Sequence, residues 1–133
     1  MTDAGGVPLV IQTVAANQHD STTLLPLVVE IPAVVGKRGR PKQKPATLMA
    51  DKAFDDQALR GLLRWLGIEP YIPKRGTGEQ GLGKFRWFIE RTISWLHQFR
   101  RLRIRWERSP DLHQMFLSLA ATVICYRLWN NGN

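Results

Sequence analysis

A chain of 133 residues, 44% of them hydrophobic, has enough apolar side chain for one domain of ordinary size and too little length for two independent cores. Nineteen Lys and Arg against eleven Asp and Glu leave a formal net charge of +8 and a pI near 10.4, a balance that favours a phosphate polyanion as partner. The polar start from Met1 to Gly6 argues against a secretory leader, the apolar stretch Met115 to Tyr126 is too short to span a bilayer, and a lone Cys125 with three scattered histidines fits a reducing cytoplasm rather than a disulfide or zinc scaffold.

Gly5-Gly6 is a turn signal, and the β-branched run "VPLVIQTVA" predicts a strand over Val7 to Ala15. Asp20 is placed to cap a helix from Ser21 to about Glu30, with Leu24, Leu25, Leu27 and Val28 clustered and Pro32 beyond its end. "VGKRGRPKQKPA" has glycine, proline and charge without apolar period and reads as a connector, after which "TLMA" is short enough for a buried strand ending beside Asp51. Asp55 or Asp56 then caps a helix carrying Leu59, Leu62, Leu63 and Leu66 at i, i+3, i+4 and i+7, stopped by Gly67. "IEPYI" predicts another strand. One long helix is expected over Phe85 to Arg101, and a last one begins at Ser109 and Pro110 with Leu112, Phe116, Leu119 and Val123 on its apolar face. Alternating strands and helices predict an α/β domain with helices covering a mostly parallel or mixed sheet.

Thirteen of the nineteen basic residues fall in two stretches, five over Lys37 to Lys44 and eight over Lys84 to Arg108. Blocks of this kind concentrate positive potential and favour a phosphate polyanion, with a solubilising surface as the even alternative. Within the first, Arg38-Gly39-Arg40-Pro41 resembles the core of AT-hook minor-groove binders, where a glycine lets two arginines lie flat in a narrow groove. The motif is only four residues long, and a plain solvated basic connector is the better reading. "GEQGLGKF", Gly78 to Phe85, nearly spells a phosphate loop but places Phe85 where a magnesium-binding hydroxyl is required, so a glycine hinge is the better reading.

Helical periodicity over Phe85 to Arg101 sets Phe85, Phe88, Ile89, Thr92, Trp95, Leu96 and Phe99 on one broad apolar face. Glu90 lies opposite, on a polar stripe with Gly83, Arg86, Ser94, His97 and Arg101. A solvated stripe with a weak Arg86–Glu90 pair is the simplest account, worth a few tenths of a kcal/mol. Spacing alone does not decide between that and a functional carboxylate.

Together "LMADKAFDD", "GIEPYIPKRG", "GLGKFRWFIERTISWLHQFRRLRIRWER" and "LHQMFLSLAATVICYRLW" resemble the C-terminal part of DDE transposases from bacterial insertion sequences, in particular the insertion-sequence-five-like group. "TDAGGVPLVIQTVAANQHDSTTLLPLV" resembles the middle strands and first helix of the same family, so the likeness covers nearly the whole chain. The resemblance implies a partial ribonuclease-H-like α/β domain. It spans residues 1–133 as one incomplete unit: strand and helix over 1–36, basic loop over 37–46, and the second-aspartate strand onward over 47–133. It implies that Asp51 and Glu90 are catalytic metal ligands for Mg²⁺, with Mn²⁺ as a substitute. Hard divalent cations take carboxylate oxygens, and a cation pair suits in-line phosphodiester displacement. Arg38, Arg40, Lys42, Arg86, Arg91, His97, Arg100, Arg101, Arg103 and Arg105 are the expected DNA contacts.

The family's tyrosine-arginine-glutamate-lysine helix signature is met at Arg86 and Glu90, whereas Gly83 and His97 stand at the tyrosine and lysine places. The family's first aspartate is expected upstream of residue 1, because Asp3 sits in a turn sequence where aspartate bonds its own backbone. The implied partners are therefore duplex DNA, both transposon ends and target, an upstream transposase segment that supplies the first aspartate, and further copies in a homo-oligomer. The expected location is a bacterial cytoplasm, on DNA, with no membrane. A remnant and the downstream frame of a frameshifted fusion both fit, and a non-catalytic basic DNA-binding regulator of the element is the alternative function.

Overall fold

The computed structural model describes residues 1–14, 17, 19–34, 39–76, 83 and 86–132. The chain divides into two compact units, Val14–Lys84 and Met1–Thr13 with Phe85–Asn133. In the first, helix α1 spans Asp20–Val29, strand β1 Thr47–Met49, a 3-10 turn Lys52–Phe54, helix α2 Gln57–Trp65 and strand β2 Glu69–Tyr71. β1 and β2 run parallel in the register Leu48 to Pro70. Parallel neighbours need a crossover, and α2 supplies it.

α2 follows from local chemistry. The Asp56 carboxylate accepts the Leu59 N–H at 3.1 Å, the cap that satisfies an orphan donor of the first turn. At the other end Gly67 takes a positive φ of 79°, and Ile68 N–H donates to the Leu63 carbonyl, closing the helix. Leu59 and Leu63 point inward and join Leu24 and Val28 of α1, Leu48, Ala50, Ile68 and Ile72 as buried apolar residues of this unit. Leu62 remains exposed, so the apolar stripe is narrower than the four-leucine pattern predicts.

In the second unit helix α3 spans Arg86–His97, helix α4 Arg100–Arg103 and helix α5 Pro110–Asn131. Ser109 caps α5 with its hydroxyl accepting from Leu112 N–H, and Pro110 occupies its first turn. The N-terminal segment ties to this unit by side chains. Gln114 accepts the Thr13 N–H at 2.8 Å and donates to the Ile11 carbonyl at 2.6 Å. The Thr92 hydroxyl donates to the Gly6 carbonyl. Gly6 has a φ of 82°, and a Cβ there would stand 3.0 Å from the Phe88 carbonyl oxygen, so both the turn and the close approach require glycine.

Several local expectations change. Val7 to Val14 forms no regular strand; Pro8 makes one isolated antiparallel bridge to Thr2, and the Met1 amine donates to the Val10 carbonyl. Two-residue pairing across a tight turn has no further partner strand to extend it among the described residues. The first helix starts at Asp20, and His19 holds the cap position without a side-chain bond. The long helix breaks after His97, where Gln98 and Phe99 N–H groups close onto Trp95 and Leu96 carbonyls three residues back. α5 buries Ala120 and Ile124, whereas Leu112 and Leu119 of the expected apolar face are exposed with Met115, Tyr126 and Trp129. No helix among the described residues is long and apolar enough to cross a membrane. Helices with a small parallel sheet are compatible with the α/β class.

Candidate metal and nucleic-acid site

Asp51 stands just beyond the C-terminal end of β1, where the chain leaves the strand for the 3-10 turn. Its side chain is exposed, and one carboxylate oxygen accepts the Lys52 N–H at 2.6 Å, capping that turn. The other oxygen makes no hydrogen bond to a described residue and remains open to a ligand. The turn itself is braced by Arg75, whose guanidinium donates to the carbonyls of Lys52 at 3.1 Å and Ala53 at 2.8 Å.

Asp55 organises this bracing. One oxygen accepts Nε and Nη2 of Arg60 at 3.1 and 2.6 Å, and the other accepts the Arg75 backbone N–H at 2.8 Å. Arg60 also donates to the Ile72 carbonyl at 2.6 Å, just after β2. The Arg75 backbone N–H and the Arg60 guanidinium hold the Asp55 carboxyl below the ordinary aspartate range against the opposing effect of burial. Asp55 reads from sequence as one of two alternative helix caps. Asp56 takes that role, and the i,i+5 spacing to Arg60 is the one local signal of the other.

Glu90 lies in the second turn of α3 and is exposed, as are Gly83, Arg86, Ser94 and His97 of the same stripe. The Arg86–Glu90 ion pair does not form, and Glu90 makes no ion pair with any described residue. Arg91, next in sequence, is held differently. Its guanidinium lies 4.2 Å from the Trp87 ring centroid and 5.7 Å from that of Trp95, and it reaches the Gly5 carbonyl at 3.4 Å.

The remaining cations divide by what engages them. Arg101 pairs with Glu107 at 2.9 Å, and Arg105 donates to the Glu107 carbonyl at 3.2 Å. Arg86, Arg100 and Arg103 are exposed, and their side chains make no hydrogen bond or ion pair with another described residue. Arg40 and Lys42 are exposed as well, Lys42 forming an antiparallel backbone bridge with Val34. Arg38 lies outside the described residues, as do Gly78 to Leu82, Lys84 and Phe85 of the phosphate-loop-like sequence.

Glu107 is the acid that sequence reasoning passed over. It is buried although it falls between arginines in the chain. Burial alone raises such a carboxyl, yet backbone N–H groups of Glu107 and Trp106 with the Arg101 guanidinium hold it below its ordinary value. Its second oxygen stands 3.9 Å from His113 Nδ1, too far for a hydrogen bond, and both atoms are buried without a partner among the described residues.

Asp51 thus belongs to one unit and Glu90 to the other. Among the described residues no three His, Cys, Asp or Glu side chains gather as a metal-binding group. The donor chemistry at each position nevertheless fits a hard divalent cation: an exposed carboxylate with oxygen unclaimed by a described cation.

Comparison with known proteins gives two matches. Residues 1–125 match the family model described as the transposase DDE domain. The chain is also 50% identical over 131 residues to a candidate transposase for insertion sequence element IS402 of Burkholderia cepacia, an alignment covering 98% of this chain and 61% of that protein. The chain therefore spans less than two thirds of the curated relative it matches. No solved structure matches it.

Proposed function

The chain belongs to the transposase DDE domain family of insertion sequences, and from that premise we propose that it is the C-terminal part of a ribonuclease-H-like catalytic domain that cuts and joins DNA strands. Both units form one incomplete domain in this reading, completed by an upstream transposase segment that carries the first aspartate. The observation that carries it is Asp51, an exposed carboxylate at the C-terminal end of a parallel strand with one oxygen open to a ligand. Ligand sites in α/β sheets gather at that edge of the strands.

Asp51 and Glu90 are the metal ligands in this proposal, each offering carboxylate oxygens to Mg²⁺, or to Mn²⁺ in its place. Divalent cations, when bound, supply activation of a water or 3′-hydroxyl and stabilisation of the leaving oxygen. The chain's own task is to hold DNA and present the carboxylates. In this reading Arg86 and His97, on the exposed stripe of Glu90, and Arg100 and Arg103 are phosphate contacts of one unit, and Arg40 and Lys42 are phosphate contacts of the other. Arg38 is included on sequence alone. Arg91, Arg101 and Arg105 contribute charge to the same unit as Glu90 while anchored to the protein. Assembly as a homo-oligomer on transposon ends and target, in a bacterial cytoplasm, completes the reading.

The test uses the full transposase, made by fusing the upstream segment to this chain, with a labelled duplex bearing the element end. Asp51→Asn and Glu90→Gln are expected to abolish Mg²⁺-dependent strand cleavage and to leave DNA affinity intact, and the chain without the upstream segment is expected not to nick. Unchanged cleavage in both variants overturns the assignment. DNA binding by a fusion that never cuts, with either cation, would leave a non-catalytic DNA-binding protein.

A further inference from the structure

Beside α2 opens a cleft of about 680 Å³ whose lining includes Asp55, Arg60, Gly61, Arg64, Lys74 and Arg75. Among the described lining residues there are four cations and one carboxylate, and that carboxylate is already committed to Arg60 and to the Arg75 backbone. Two of the cations are anchored. Arg60 is fixed by Asp55 and the Ile72 carbonyl, and Arg75 by the carbonyls of Lys52 and Ala53. Each still has its Nη1 donor uncommitted to a described residue, so little rotamer freedom remains to be lost when an anion binds. Arg64 stands at the rim, 3.7 Å from Glu69 with both side chains more than half exposed, an ion pair weak enough for a phosphate to displace.

Gly61 supplies a separate observation. It lies inside α2, where glycine weakens a helix relative to alanine. Its backbone has no positive φ, and a Cβ there would meet no described residue within 4 Å. Neither conformation nor packing within the protein requires glycine at this position. A bare patch of helix among four cations does suit close approach by a bulky anion.

We propose that this cleft seats phosphates of a DNA backbone, as a contact surface additional to the basic stretches 37–44 and 84–108. That the anion is DNA rests on the functional reading above. Arg60, Arg64, Lys74 and Arg75 hold the phosphate oxygens, and Gly61 leaves room for the sugar-phosphate chain. No base edge is read, so the contact is insensitive to sequence and sensitive to salt.

The experiment uses the 133-residue chain carrying Asp51→Asn and Glu90→Gln, so that cutting plays no part and failure of the catalytic assignment leaves the measurement unaffected. Binding to a labelled duplex is followed by fluorescence anisotropy over a salt series. Arg64→Gln is expected to flatten the log–log salt slope by roughly 0.9, and Gly61→Glu, which sets a carboxylate in the cleft, to lower affinity at low salt at least fivefold. Gly61→Ala is expected to raise the melting temperature and to lower affinity by less than Gly61→Glu, because its methyl group enters the space kept for the sugar-phosphate chain. Bound duplex is expected to protect Lys74 from acetylation, read by mass spectrometry. A folded Gly61→Glu protein with the parent slope and affinity overturns the proposal, and so does a Lys74 acetylated equally fast with and without duplex.

Discussion

Replacing Arg100 and Arg103 together by alanine removes two exposed guanidinium groups that no other described residue engages by hydrogen bond or ion pair. Replacing Arg101 and Arg105 removes the same formal charge from side chains already tied to Glu107. If the first pair neutralises two DNA phosphates, its loss flattens the log–log salt slope by about 0.9 for each, or about 1.8 in all. Between about 50 and 200 mM salt, a fourfold change, the double variant then loses roughly tenfold less affinity than the parent. Removing the second pair is expected to change the slope by less, and instead to lower the melting temperature, because Glu107 is left buried without its cation. Fluorescence anisotropy of a labelled duplex, titrated at several KCl concentrations, gives the slopes, and thermal unfolding followed by circular dichroism gives the second readout. A parent slope retained without Arg100 and Arg103, or equal flattening by the two double variants, refutes the sorting of free from anchored arginines.

Leu63→Ala empties the centre of the Val14–Lys84 core, where Leu63 is fully buried, and is expected to cost about 2–5 kcal/mol in urea denaturation. The Asp55 carboxyl is held below its ordinary range, so it contributes stability above the unfolded value of about 3.9 that is lost as pH falls from there through the lower folded value. Asp55→Asn should therefore lower the melting temperature at neutral pH and remove that part of the acid dependence; an unchanged profile contradicts the network. Burial, with a smaller effect from Asp3, raises the Cys125 thiol, which also lies 3.6 Å from the Pro8 carbonyl. Alkylation by iodoacetamide at pH 8 is expected to be several-fold slower in the native chain than in urea, since the thiolate is the nucleophile.

How much of this was legible in sequence depends on the range over which each signal acts. α2 was readable because its cap, its leucine spacing and its terminal glycine lie within about a dozen residues and all favour one helix. Asp51 and Glu90 could be named because the resemblance covers almost the whole chain, and Asp51 could be set at a strand end because "TLMA" is short, apolar and followed by charge. The long helix and the apolar face of α5 were misjudged where periodicity was the sole guide. Periodicity reports which residues could share a face but not which neighbour covers it.

What the sequence by itself determined is therefore the family, the charge, the short elements with complete local start and stop signals, and the identity of the two candidate carboxylates. Tertiary structure alone decided which charges are available. Arg101 and Arg103 are alike on paper, yet one is drawn to a buried Glu107 and the other projects into solvent. Asp55 and Asp56 are adjacent acids before one helix, yet the first binds Arg60 and Arg75 and the second caps α2. The physical reason is common to both pairs. A charged group settles where its hydrogen bonds are satisfied, and the partners of Asp55 lie up to twenty residues along the chain, a separation that no local pattern encodes.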